Sequence, residues 1–168
     1  MEDTLDWIDE QENVLGAFSA EEIHKKALLH SSVHVFIIDS NGLLFCRKII
    51  SNSRIYPGYW STTVGAHVFS GKDADKSACE SVKHNIGIDC ELKMIGKVRV
   101  QDRFENEISS TYIGYADGPL RIKSGEIEEG RFMAVEEIRR LVDQEHVTPH
   151  LILSLDQYIG KNRLPISP

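Results

Sequence analysis

An α+β sandwich, in which a mixed and largely antiparallel sheet carries helices on its faces, is the fold class this sequence predicts. Three observations carry the prediction. Apolar, β-rich runs come in pairs about turn residues, capped helical stretches separate those pairs, and the last helical stretch is apolar along one face. With 168 residues, 41% of them hydrophobic, the chain can bury one proper core and is short for two, so one domain spanning 1–168 is expected.

LDWID and NVLGAF are short strands split by the polar EQE, which predicts a small N-terminal hairpin. Ser19 followed by Glu22 forms a capping box, so a helix is expected there, running through SAEEIHKKALL. Hairpin and helix together take up about residues 4–29. SVHVFIID and LLFCRKII flank Asp39-Ser40-Asn41-Gly42, a hairpin signal. A polar loop, SNSRIYPGYW, leads to the strand-like STTVGAHV. Ala74, Ala78 and Val82 recur at helical spacing, so 73–85 reads as a helix, closed by Gly87 as C-cap. ELKMIGKVRV and EISSTYIGYA are two further strands about DRFEN. EIEEG reads as a solvated loop and AVEEIRRLV as a helix. Thr148-Pro149 opens the last helix, since Thr is a good N-cap and Pro suits the first helical turn. Leu151, Leu155 and Ile159, with Ile152, form its apolar face.

Charge limits the partners. A net charge of -7, from 26 acidic against 19 basic residues, gives no broad basic footprint for nucleic acid or an anionic membrane, while leaving room for a local basic pocket. Cys46, Cys79 and Cys90 are scattered, without a CxxC pair. The acidic MEDTLDWIDEQ has no apolar core of signal-peptide length, and no apolar run approaches the roughly 18 residues of a membrane span. These features lead us to expect a cytoplasmic protein. Its oligomeric state is not legible.

The succession of strand hairpin, YPGYW, GAHV, SGK, helix and Gly87-Ile88 resembles a Nudix domain. It is most similar to the branch that includes type I isopentenyl-diphosphate isomerase and related hydrolases, and the likeness runs from about Leu5 to Tyr158. DEQENVLG, EEIHKKALLH and EIEEGRFMAVEEI also look like that branch. The family's box reads G-x5-E-x7-R-E-U-x-E-E-x-G-U, with U aliphatic. Anchored on Gly87-Ile88, it places the first glycine at Ala66, the first glutamate at Lys72, the arginine at Glu80 and three carboxylates at Ser81, His84 and Asn85. Acids four apart on a helix present their oxygens on one face, as Mg²⁺ on a diphosphate requires. Here those positions are degenerate, so hydrolysis by the usual Mg²⁺ route is not expected. A register shifted by one residue would make Glu80 and His84 an i,i+4 pair able to touch one ion, but would put Ile86 at the required glycine.

A second set implied by the resemblance is better preserved. The isomerases bind a divalent metal through two N-terminal histidines, one histidine after the opening turn of the box, and an E-x-E. Their counterparts here are His24, His30 and His67 with Glu105 and Glu107. Three imidazoles and two carboxylates suit Zn²⁺ or Mn²⁺, with Fe²⁺ a further candidate, and Mg²⁺ remains a candidate from the family at large. Each residue alone also suits a structural place: His24 on a polar helix, His30 and His67 in core or turn, the glutamates at a hairpin tip. The isomerase's catalytic cysteine falls at Gly65, which can neither donate nor accept a proton, and GKVRVQD lacks the family's tyrosine. Isomerase activity is therefore not expected, and Glu107 is left as the catalytic candidate.

Basic residues hold the diphosphate in the isomerases, which assigns Arg47, Lys48 and Arg54 to substrate binding. Lys72 would add a fixed cation where a metal-binding acid stood. Glu126, Glu128 and Glu129 are candidates for a base outside the box. The sequence thus leads to a Nudix-fold protein that binds a small diphosphate, without nucleic-acid or membrane partners. Two alternatives stand beside it: a metal-dependent hydrolase or isomerase-like enzyme using the His/Glu cluster, and a non-catalytic binding or regulatory module.

Overall fold

The computed structural model describes residues 4–123, 125, 127–144 and 146–162. β1 (Thr4–Ile8) and β2 (Val14–Ser19) form the expected hairpin, followed by α1 (Ala20–Lys25), β3 (His30–Ile38) and β4 (Leu44–Ile49). Next come β5 (Trp60–Ser61), β6 (Val64–His67), α2 (Ala74–Ile86), β7 (Leu92–Gln101) and β8 (Asn106–Tyr115). β9 (Ile127–Met133), α3 (Val135–Val142) and α4 (Pro149–Asn162) complete the order. The main sheet runs β5-β4-β3-β8-β7, with β6 on β3 and β9 on β4. Only β3 and β8 are parallel among its described pairs, so the sheet is mixed and largely antiparallel as expected.

The DSNG turn folds as read: Asp39 accepts from the backbone of Asn41 and Leu43, and Gly42 takes the left-handed φ of 78°. Its two strands then splay, being paired only at Ile38–Leu44. Thr63 fills the fork, its hydroxyl donating to the Phe45 carbonyl and accepting from the Ile37 amide at 2.5 and 2.8 Å. β6 thereby crosses onto β3, which brings Gly65 opposite His34 and His67 opposite Ser32.

Two expectations are corrected. α1 stops at Lys25 instead of running through Leu29, because Ala27 takes a φ of 50° and the Leu29 carbonyl accepts from Ile8 on the hairpin. This early stop turns the chain back, so that His24 and His30 face one another. Ile127–Gly130 of the EIEEG segment, read as a loop, belong to β9, which pairs with β4 from Leu44–Met133 to Ile49–Ile127. Glu128, Glu129 and Arg131 along it are exposed, and such a charged strand lacks the apolar alternation that marks a half-buried one.

Packing gives the sandwich. Val33, Val35 and Ile37 of β3 meet Ala78, Val82 and Ile86 of α2, while Phe36 and Ile38 meet Ile138 of α3 and Leu151 and Leu155 of α4. The apolar face read on the last helix is therefore core, and Leu151→Ala is worth about 2–5 kcal/mol by the usual cost of an emptied site. The C-cap of α2 is as expected, with Gly87 left-handed at φ 71°, and Asp73, placed by the sequence inside the helix, is instead its N-cap, accepting from the Lys76 amide. The period of two along β3 also fixes where the polar residues go. His30, Ser32 and His34 project on the same side as Phe36, toward the start of α4.

Candidate metal centre

Five side chains from four parts of the chain converge at this end of the sheet. His24 comes from α1, His30 from the first residue of β3, His67 from the last of β6, and Glu105 and Glu107 from the entry into β8. The parallel register sets His30 directly beside Glu107. His24 Nε2 lies 3.2 Å from Glu105 Oε2, and His30 Nε2 lies 3.6 Å from the same oxygen and 3.2 Å from Glu107 Oε1. His67 Nε2 stands 3.9 Å from Glu105 Oε1 and 3.4 Å from Glu107 Oε1. The three imidazole centroids are mutually 5.0–5.3 Å apart.

The fit to a metal ion follows from the donor atoms. His24 Nδ1 lies 2.6 Å from the Ala20 carbonyl and His30 Nδ1 2.9 Å from that of Leu28. A carbonyl only accepts, so each Nδ1 carries a proton, and each Nε2 in the neutral ring presents a lone pair inward. Both of those Nε2 atoms and Glu105 Oε2 are buried without an aligned hydrogen-bond partner. Buried orphans of this kind cost about 1–3 kcal/mol each. Ligands about 2.1 Å from one ion stand roughly 3.0–4.2 Å apart, which is the range these contacts fall in. His24, His30, His67 and Glu105, with donor atoms all within 4.8 Å of one another, therefore suit a divalent cation that accepts imidazole as well as oxygen, and Glu107 Oε1 adjoins them at His30 and His67.

The carboxylates and imidazoles of the centre shift one another's titration. Burial pushes the Glu107 carboxyl up, but the close imidazoles of His150, His30 and His67 outweigh it and hold it well below the usual range. Glu105 is likewise pushed up by burial and brought below its ordinary value by His24 and His67. Burial lowers the His67 imidazole, yet the two carboxylates together raise it to about 10. Glu105 also raises His24, against the opposing effect of burial.

Three side chains that the sequence reading passed over support this set. His150 Nε2 lies 2.6 Å from Glu107 Oε2, and the Ser32 hydroxyl donates to the same oxygen at 2.9 Å. Oε2 is thus engaged, leaving Oε1 for His30, His67 and an ion. His34 stacks on His150 at 4.1 Å and 10°. Its Nδ1 contacts Thr62 Oγ1 at 2.7 Å, and that hydroxyl donates to the Val64 carbonyl. Burial holds His34 well below the usual histidine range, so it is neutral. Thr148 places His150, since its amide donates to the Trp60 carbonyl and its hydroxyl to Ser61. The signal for His34 was present: polar residues at 30, 32 and 34 alternate with Val33 and Val35. His34, His150 and Glu107 form a second potential ligand group, but parallel stacked rings cannot both aim in-plane lone pairs at one ion.

A cavity of about 420 Å³ is lined by Glu105, Glu107 and His67 together with Arg47, Tyr56 and Ile55. The position of the isomerase cysteine is closed off, not merely truncated. A Cβ on Gly65 would stand 2.7 Å from His34 Cε1 and 3.1 Å from Arg47 Nη2. Tyr56, from the loop after β4, brings a phenol to the cavity wall, with its hydroxyl donating to Asp102 at 2.7 Å.

The remaining expected residues are dispersed. Arg47 lines the cavity, Lys48 pairs with Glu128 at 3.8 Å, and Arg54 lines a separate groove beside His24. Glu128 also accepts from Ser51, Glu129 pairs with Arg131, and neither lines the cavity. Glu126 lies outside the described residues. Lys72, Ser81, His84 and Asn85 line another cleft along α2. There Asn85 donates to the Ser81 carbonyl, and His84 Nε2 lies 2.7 Å from Lys123 Nζ. Glu80 is paired with Lys72 and Lys76, so the shifted register brings no ligand pair together.

The NUDIX domain family model matches residues 28–152. The chain belongs to the Nudix family. An uncharacterised Nudix hydrolase of Pseudomonas aeruginosa is 29% identical over 140 residues, covering 80% of this chain and 83% of that one. An isopentenyl-diphosphate Delta-isomerase of Serratia proteamaculans is 25% identical over 173 residues, covering 98% and 95%. The crystal structure of a Deinococcus radiodurans protein superposes with a TM-score of 0.79 at 16% identity, over 92% of this chain and 98% of that one. Nudix hydrolases and Nudix-type isomerases are thus both relatives of this chain, and the fold is the Nudix fold.

Proposed function

We propose that this Nudix protein is a divalent-metal enzyme acting on a small molecule that carries a diphosphate. Its ion would be held by His24, His30, His67, Glu105 and Glu107 instead of by the helix α2. The observation that carries this reading is the convergence of the buried, unpartnered His24 Nε2, His30 Nε2 and Glu105 Oε2 on one point. Imidazole-rich sets favour Zn²⁺ or Mn²⁺ over Mg²⁺. When bound, such an ion supplies positive charge to phosphoryl oxygens and lowers the pKa of a coordinated water.

The chain's own residues favour hydrolysis over isomerisation. Isomerisation needs a proton donor and acceptor on the substrate's carbon skeleton, and the space beside Gly65 is filled by His34 and Arg47. Hydrolysis needs one water, whose oxygen bonds to phosphorus as the bridging P–O bond breaks. Arg47 on the cavity wall offers a guanidinium for the anion, and Ile49, Ile50 and Ile55 limit the water around it. Metal analysis of the purified protein, joined to a diphosphate panel with Zn²⁺, Mn²⁺ and Mg²⁺, tests the reading. Turnover should follow Zn²⁺ or Mn²⁺ and vanish in Glu105→Gln. Full turnover with Mg²⁺ alone, undiminished in that variant, would overturn it.

A second reading, a binding module without turnover, is favoured by one observation. Glu107 Oε2 is engaged by His150 and Ser32, which removes it as a free base. Tight diphosphate binding with a loaded metal and no product would select that alternative.

A further inference from the structure

Tyr56 holds a backbone conformation that its residue type rarely takes. Its φ of 47° lies in the left-handed region, where the Cβ of a bulky side chain crowds the following carbonyl. Such a position persists only where the surroundings over-determine it, and the contacts of Tyr56 do so. The side chain is buried, with its ring 4.8 Å from that of Phe104 and 6.0 Å from that of His150, the partner of Glu107. Its hydroxyl donates to Asp102 Oδ2 at 2.7 Å.

Asp102 in turn shapes the bend that carries Glu105. Its Oδ1 accepts from the Phe104 and Glu105 amides at 2.7 and 2.9 Å, and its own amide donates to the Glu105 carbonyl at 2.9 Å. One carboxylate thus grips the bend with one oxygen and the phenol with the other. A hydrogen bond to an ionised acceptor is of the strong kind. Tyr56 belongs to the loop between β4 and β5, and Ile50, Ser53 and Ile55 of that loop line the cavity beside it. The wall of the cavity is therefore fastened to the backbone of a residue of the metal centre.

We infer that Tyr56 is a positioning residue that latches the cavity loop to the bend of Glu105 through Asp102, so that metal occupancy and the order of that loop are coupled. This inference rests on the proposed function, because it takes Glu105 as a metal ligand. Coupling of this kind is reciprocal. An ion that fixes Glu105 orders the loop, and a substrate that seats the loop raises the affinity for the ion.

Titration of the full chain with Co²⁺, followed by visible absorption, and hydrogen exchange of the loop amides test it. Tyr56→Phe should weaken Co²⁺ binding roughly tenfold, the low end of what losing a group that orients a ligand costs. Asp102→Ala should weaken it more, and the double variant no further than Asp102→Ala alone, since the phenol acts through that carboxylate. Tyr59→Phe, which removes a hydroxyl of the same loop that has no hydrogen bond among the described residues, should leave the affinity as it is. In the wild type, Co²⁺ should slow exchange at the Ser53, Gly58 and Tyr59 amides, which donate to Ile50, Ile49 and Tyr56. Tyr56→Phe should lose that protection. Additive losses in the double variant, or equal protection by Co²⁺ in the wild type and Tyr56→Phe, overturn the latch while leaving the metal centre standing. A wild type that takes up no Co²⁺ would overturn the metal reading itself, and the latch with it.

Discussion

Loading the centre with metal should expel protons, and the number can be worked from the structure. The two carboxylates raise His67 to about 10, so in the metal-free protein at pH 7 its imidazole is protonated. A metal ligand must be the neutral ring. Removing that proton at pH 7 costs about 4 kcal/mol, at about 1.36 kcal/mol for each pH unit between 7 and 10. The apparent affinity at pH 7 is then roughly a thousandfold below its high-pH limit and rises about tenfold per pH unit. Glu105 and Glu107 are held below their ordinary values and are already ionised, so they release nothing. His24, raised by Glu105, contributes part of a second proton toward the acid end. Titration with Zn²⁺ at pH 7.5, in buffers of different ionisation enthalpy, should therefore report between one and two protons released. Affinity that is flat from pH 6.5 to 8.5, with no proton released, would refute the reasoning. The same shift acts on folding: a raised imidazole stabilises the metal-free protein fully below 6.5, and that contribution is lost as pH rises through about 10. With metal bound, the dependence should disappear.

Three further outcomes are expected. His150→Ala frees Glu107 Oε2 from its 2.6 Å partner and should weaken metal binding about ten- to hundredfold in chelator competition while circular dichroism stays unchanged. Wild-type affinity in that variant would remove His150 from the centre. Gly65→Cys, which drives a Cβ to 2.7 Å from His34, should cost about 1–3 kcal/mol in chemical denaturation and yield no isomerase activity. A variant as stable as the wild type would show that His34 can move aside. Chelation should lower the melting temperature, since metal at a hundred times its Kd stabilises by about 2.7 kcal/mol, or roughly 5–10 °C for a chain of this size. Glu105→Gln should show little of this difference, and an equal shift in that variant would argue for a metal bound elsewhere.

The relation between sequence and site can be argued element by element. The turn at Asp39 and Gly42, the Gly87 C-cap and the Thr148-Pro149 helix start each act within a few residues, so they were legible without any tertiary knowledge. α1 and β9 were misread because their limits are set from outside. The hairpin takes the Leu29 carbonyl and ends α1, and β4 pairs a strand whose charged face shows no period of two. His24, His30, His67, Glu105 and Glu107 were nameable through their order along a Nudix-like chain. Their individual patterns distinguish them from surface or core residues hardly at all.

The sequence by itself determined the sandwich and the loss of acids along α2, because apolar period, caps and residue identity are one-dimensional properties. It also determined that position 65 carries no thiol. Only the tertiary structure decided that His34 and Arg47 occupy the space beside Gly65, and that His150, 43 residues beyond Glu107, closes on its carboxylate. It likewise placed the exposed Lys123 beside His84, at 2.7 Å. These are contacts across the sheet, fixed by the β3–β8 register and the seating of α4 on β5. No local rule encodes them, since the free energy that holds each pair comes from the packing of elements distant in the chain.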